Sequence, residues 1–90
     1  MRKPSILVVE DDTDIQQLVS YNLIKSGFNV TCADSGEEAL NLLGRERVDA
    51  MVLDLMLPDM PGIEVLRALR ADPVTADVPV VVISATGAPA

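Results

Sequence analysis

Residues 6–12 read ILVVEDD: Ile6, Leu7, Val8 and Val9 form an unbroken apolar run, and Glu10, Asp11 and Asp12 follow it without a spacer. A run apolar at every position has no solvent side, which is the pattern of a parallel strand covered on both faces. Three further runs repeat that character at wide spacing, Val30–Ala33, Ala50–Leu53 and Val80–Ile83. Parallel neighbours cannot be joined by tight turns, so the intervals must contain crossover helices.

The intervals carry helical stripes. Ile15, Leu18, Val19 and Leu23 share one face, opened by Thr13 with Gln16 three residues later and closed by Gly27. Asn22 puts an amide into that stripe, where the pattern expects an apolar group. Ser35 followed by Glu38 is a capping-box signal before Ala39, Leu40 and Leu43, and Gly44, Arg45, Glu46 and Arg47 mark the end of this second helix. Gly62, Val65, Leu66 and Leu69 make the third stripe, with Arg67 and Arg70 directed outward and Pro73 stopping the helix after Asp72. The order is strand, helix, strand, helix, strand, helix, strand. It predicts a single α/β domain over residues 1–90, with right-handed crossovers.

Ninety residues with 49% hydrophobic and 23% charged side chains have a globular balance and room for one core. Seven basic against fourteen acidic residues give a net charge of −7, which repels phosphodiester backbones and anionic membranes, so direct nucleic-acid binding is not expected. No stretch has the length of a signal h-region or a membrane span, and the lone Cys32 reads as a small core residue in a reducing compartment. The expected location is cytoplasmic.

Ligands of such sheets bind at the carboxyl ends of the strands. Glu10, Asp11 and Asp12 follow the first run, Asp54 ends the third, and Ser84 follows the fourth. If the first and third runs are neighbours, Asp11 and Asp54 face each other across a crevice. Carboxylates so close repel unless a cation or a proton lies between them. Mg2+ suits an all-oxygen set completed by water and phosphate, and a carboxylate beside it can act as a nucleophile toward phosphorus. Asp54 is the candidate nucleophile.

With ILVVEDD at 6–12 and VLDLMLPDMPG at 52–62, the chain resembles the receiver domains of bacterial two-component response regulators. The wording LMLP resembles the receivers attached to winged-helix DNA-binding regulators. The resemblance implies a flavodoxin-like sheet of order 2-1-3-4-5, cut after the fourth strand. It implies that Asp54 accepts phosphate from a sensor histidine kinase and that Asp11 binds Mg2+ directly. Glu10 then assists through water, and the backbone carbonyl of Met56 is the third protein ligand. Ser84, in VVISA, resembles the switch hydroxyl, and Pro58 and Gly62 resemble loop and turn positions after the acceptor. An output domain outside the chain would be the controlled partner, with the kinase docking near Ile15 and Leu18. Such a domain catalyses its own phosphorylation and dephosphorylation and is otherwise not an enzyme. The resemblance covers about residues 5–85. The family's later lysine and aromatic residue have no counterpart, since Lys3 and Lys25, the only lysines, lie away from the strand ends.

Plainer readings stand beside these. Acidic triplets are common solvated loops, and Asp12 serves equally as a helix cap. Ser84 taken alone is an ordinary strand-end hydroxyl. Met51, Met56 and Met60 are core and loop filler, and Gly36, Gly44 and Gly62 lack the spacing of a phosphate-cradling loop. Two other functions compete. One is an assembly module with broken signalling, forming a homodimer through the exposed Val80–Ile83 edge. The other is a magnesium phosphatase, which would place a second acid where Met56 stands.

Overall fold

The computed structural model describes residues 2–83. Ser84, the expected switch hydroxyl, and the tail 86–90 lie outside the described residues. Four strands, β1 (Ser5–Val9), β2 (Asn29–Ala33), β3 (Ala50–Asp54) and β4 (Val80–Ile83), alternate with three helices, α1 (Thr13–Lys25), α2 (Gly36–Arg45) and α3 (Gly62–Ala71). All strand pairs are parallel, in the order β2-β1-β3-β4, with Val9 beside Ala33 and Leu53, and Asp54 beside Ile83. This is the flavodoxin-like order that the resemblance implies, and each strand coincides within a residue with an apolar run.

Because side chains alternate along a strand, Leu7, Val9, Met51 and Leu53 all point to one face. There they meet Ala39 and Leu42 of α2 and Val65 and Leu69 of α3 in the buried core. Each large aliphatic group in it contributes roughly 1.5–3 kcal/mol relative to exposure. Leu42 anchors α2 as a buried residue, while Leu40 and Leu43, read from the sequence as its stripe, are half-buried beside it.

The opposite face is covered less. α1 packs over β1 and β2 but has no fully buried residue; Leu18 is 64% exposed and Tyr21 and Ile24 are also exposed. On β4, Val81 is 62% exposed and Val82 is also exposed. The expectation of a sheet covered on both sides therefore holds for β1 and not for β4 among the described residues. Cys32 is half-buried rather than core, its sulfur 3.0 Å from the Ser20 hydroxyl under α1.

The helix ends show where local pattern was misread. The N-cap of α1 is Asp12, which accepts the Ile15 N–H at 3.1 Å, and Thr13 is already helical. Gln16 therefore does not close a capping box; its amide reaches Glu10 and Asp34 instead. Gly27, at φ 99°, closes α1 with Gly27 N–H donating to Ile24 and Phe28 N–H to Leu23, the paired bonds of a Schellman cap that needs a left-handed residue. Asn22 is exposed and donates to the Leu18 carbonyl one turn back, so its amide never enters the core. Ser35 caps α2 as expected, but Glu38 returns to the amide of Asp34, one residue before the cap. α2 also runs through Gly44 to Arg45. Arg70 does not simply face outward: it donates to the Ala76 and Val78 carbonyls and shapes the connection into β4.

Candidate functional site

The parallel sheet brings the ends of β1 and β3 to one rim, and the acidic residues there converge. One oxygen from each of Glu10, Asp11 and Asp54 lies within 4.8 Å of the other two. Glu10 and Asp54 are fully buried, whereas Asp11 is exposed at the mouth. Glu10 is held by its ladder bond to the Ala33 carbonyl, by the Gln16 amide on its own carbonyl at 2.8 Å, and by the Asp12 N–H on Oε2 at 3.1 Å. Asp54 receives the Met56 N–H on Oδ1 at 2.9 Å.

What remains is the distinguishing feature. Glu10 Oε1 and Asp54 Oδ2 are buried without any hydrogen-bond partner, and no other side-chain oxygen or nitrogen among the described residues is in that position. An unpaired buried carboxylate oxygen costs several kcal/mol, so such atoms persist where a ligand completes them. Burial, and then the adjoining Asp54 carboxyl, push Glu10 up to about 7, with Asp11 adding to the repulsion and the Asp12 amide opposing it. An all-oxygen, multiply acidic donor set with two unfilled lone-pair sites fits a hard divalent cation such as Mg2+.

The loop after β3 is also tightly built. Gly62 N–H donates to the Leu55 carbonyl at 2.8 Å, and Met56 bridges Pro61 in antiparallel fashion. A Cβ on Gly62 would overlap the Asp54 carbonyl oxygen and Leu55 Cα, so only glycine allows α3 to begin this close to the strand end.

A concavity of about 670 Å3 lies at the other end of the sheet, bordered by Arg45, Arg47, Asp49, Asp77 and Pro79. It is open and contains no buried unpartnered polar atom, so the chemistry points to the acidic rim. Lys3 and Lys25 both lie at that other end as well, as the sequence spacing implies.

Residues 6–90 match the sequence profile of the response regulator receiver domain. The chain belongs to this family. Among curated relatives, the alkaline phosphatase synthesis transcriptional regulatory protein PhoP of Bacillus subtilis is 51% identical over 65 residues, covering 72% of this chain and 27% of PhoP. The DNA-binding dual master transcriptional regulator RpaA of Synechocystis is 42% identical over 84 residues, covering 93% and 35%. This receiver thus spans about a third or less of the regulators it resembles. Among solved structures, a sensor protein from Polaromonas superposes with a TM-score of 0.87 at 43% identity, covering 93% of this chain and 67% of that one. The response regulator TrrA of Thermotoga maritima, in complex with Mg(2+)-BeF, superposes at 0.84 with 30% identity, covering 91% and 70%. Receiver domains are signalling domains of two-component systems, and no helix among the described residues is long and apolar enough to cross a membrane.

Glu10, Asp11 and Asp54 are thus brought together, Met56 sits two residues along the same loop, and Ser84 falls outside the description. Sequence reasoning gave Gln16 a capping role where it ties the rim's first loop to Asp34, and missed Asp59, which binds the start of α2. Asp59 carried only a turn signal, in PDMPG.

Proposed function

We propose that this receiver is the phosphoacceptor of a two-component pathway, with Asp54 taking a phosphoryl group from the phosphohistidine of a sensor histidine kinase. A carboxylate oxygen of Asp54 attacks phosphorus, an O–P bond forms, the N–P bond breaks, and the imidazole leaves with the electron pair. The observation that carries this reading is the pair of unpartnered buried oxygens, Glu10 Oε1 and Asp54 Oδ2, beside Asp11. Glu10, Asp11, Asp54 and the Met56 carbonyl would hold Mg2+, Glu10 through water; bound there, the ion neutralises the charge of the phosphoryl oxygens. The Met56 N–H occupies Asp54 Oδ1 and leaves Oδ2 free. Ser84 then turns its hydroxyl to the phosphoryl group and reports its presence, and slow hydrolysis at the same site resets the domain.

The kinase docks beside the rim over α1, where Leu18 is exposed. By analogy with PhoP and RpaA, whose names describe transcriptional regulators, the output is a DNA-binding domain joined to this receiver in the cytoplasm. Intact mass after incubation with acetyl phosphate and Mg2+ tests the reading. One phosphoryl group is expected on the wild-type chain, none on Asp54→Asn and none with EDTA. Labelling that survives Asp54→Asn would assign the acceptor elsewhere.

One observation favours a second reading. The exposed Val81 and Val82 leave β4 as an apolar edge among the described residues, which suits strand pairing between two copies. Light scattering that shows a monomer at high concentration excludes it.

A further inference from the structure

The acceptor loop, residues 55–62, is fastened to the rest of the fold at its tip. Asp59 Oδ1 accepts the Gly36 N–H and Oδ2 the Glu37 N–H, each at 2.9 Å, across 23 and 22 residues of sequence. These are the first two amides of α2, which have no partner within the helix. Ser35 takes the Glu38 N–H with its side chain and the Ala39 N–H with its carbonyl, so Ser35 and Asp59 together complete this helix start. Beside the bonds, Met60 lies over Gly36, where a Cβ would overlap its side chain.

The same loop is closed at its base. Met56 bridges Pro61, Gly62 N–H bonds Leu55, and the Met56 amide bonds Asp54 Oδ1. The loop closure thus links Asp59 at the tip to Met56 at the base, whose amide bonds Asp54 Oδ1 and whose carbonyl is read above as a cation ligand. Asp59 itself is exposed and is not among the converging acidic groups.

We propose that Asp59 is a positioning residue: by pinning the 55–62 loop to the first two amides of α2, it places Met56 against Asp54 and so sets the divalent-cation affinity of the rim. This rests on the reading of Glu10, Asp11, Asp54 and the Met56 carbonyl as the Mg2+ site. Outer-shell supports of this kind act on affinity by roughly tenfold or more.

The test is calorimetric titration of the 90-residue chain with MgCl2, without any phosphodonor, for wild type, Asp59→Ala, Asp59→Asn and Ser35→Ala. Asp59→Ala should weaken Mg2+ roughly tenfold, and Asp59→Asn, which keeps one oxygen acceptor, should fall between it and wild type. Ser35→Ala frays the same helix start without freeing the loop, so it should lower the melting temperature and leave the Mg2+ affinity unchanged. If Asp59→Ala does not fold, Asp59→Asn decides. Wild-type binding with Asp59 variants unchanged, or weakened only as much as Ser35→Ala, overturns the positioning role alone. A wild type that binds no Mg2+ overturns the site reading beneath it.

Discussion

Aspartates sit at both ends of this sheet, and their surroundings are opposite. At the amino end Asp49 is fully engaged: it accepts the Ser5 N–H at 2.7 Å and lies 3.2 Å from Arg47 and 3.8 Å from Arg2. The Ser5 amide foremost, with Arg47 and Arg2, holds its carboxyl below the ordinary carboxylate value. At the carboxyl end Asp54 and Glu10 are deeper, closer to like charge, and each has an oxygen with no partner. One carboxylate clamps β1 to the entry of β3 and serves the fold. The other pair is buried beside like charge with two acceptor oxygens unfilled, the surroundings expected of a ligand site.

The sharpest way to break this contrast is to remove charge at each end. Glu10→Gln should stabilise the metal-free chain at pH 7.5, by on the order of 3 kcal/mol, because it replaces a buried anion with a neutral isostere. It should also weaken Mg2+ binding, and denaturant melts with and without the ion check both. Gly62→Ala acts on the packing that brings α3 against the Asp54 end. It should destabilise by about 2 kcal/mol through overlap with backbone, with no rescue by Mg2+. Asp49→Asn should have the smallest effect, a lowered melting temperature at neutral pH. Its sign follows from its depressed folded value: the clamp contributes above the ordinary 3.8 and is lost as pH falls through the folded value. The difference between the variant and wild type should narrow as pH falls below 3.8.

The sheet was legible because its strands are apolar runs whose periodicity differs from the helical stripes between them. The rim followed, since residues immediately after such strands must meet at one end. Loop-mediated contacts were not legible. Asp12, which the sequence offered beside Thr13 as a cap for α1, is the N-cap because its backbone is extended there, a choice that a Thr-x-x-Gln pattern does not specify. Gln16 and Asp59 reach partners 18 and 23 residues distant. Those distances exist only once strands and helices have docked. Asn22 looked like a flaw in a buried stripe because α1 was assumed to bury its whole apolar face, and it does not.

The most direct test of the contrast between the two ends is thermal unfolding at pH 5.5 and 7.5, with and without Mg2+. The chain has no histidine, so Glu10, pushed up to about 7, dominates that window. A folded value raised above 4.5 means that stability is fully present below 4.5 and is lost as pH rises through 7. The metal-free chain should therefore melt lower at pH 7.5 than at 5.5. Mg2+ should raise the melting temperature at both, and more at 7.5, where protons compete less for the site. Equal melting temperatures at the two pH values, with no response to Mg2+, would contradict the account.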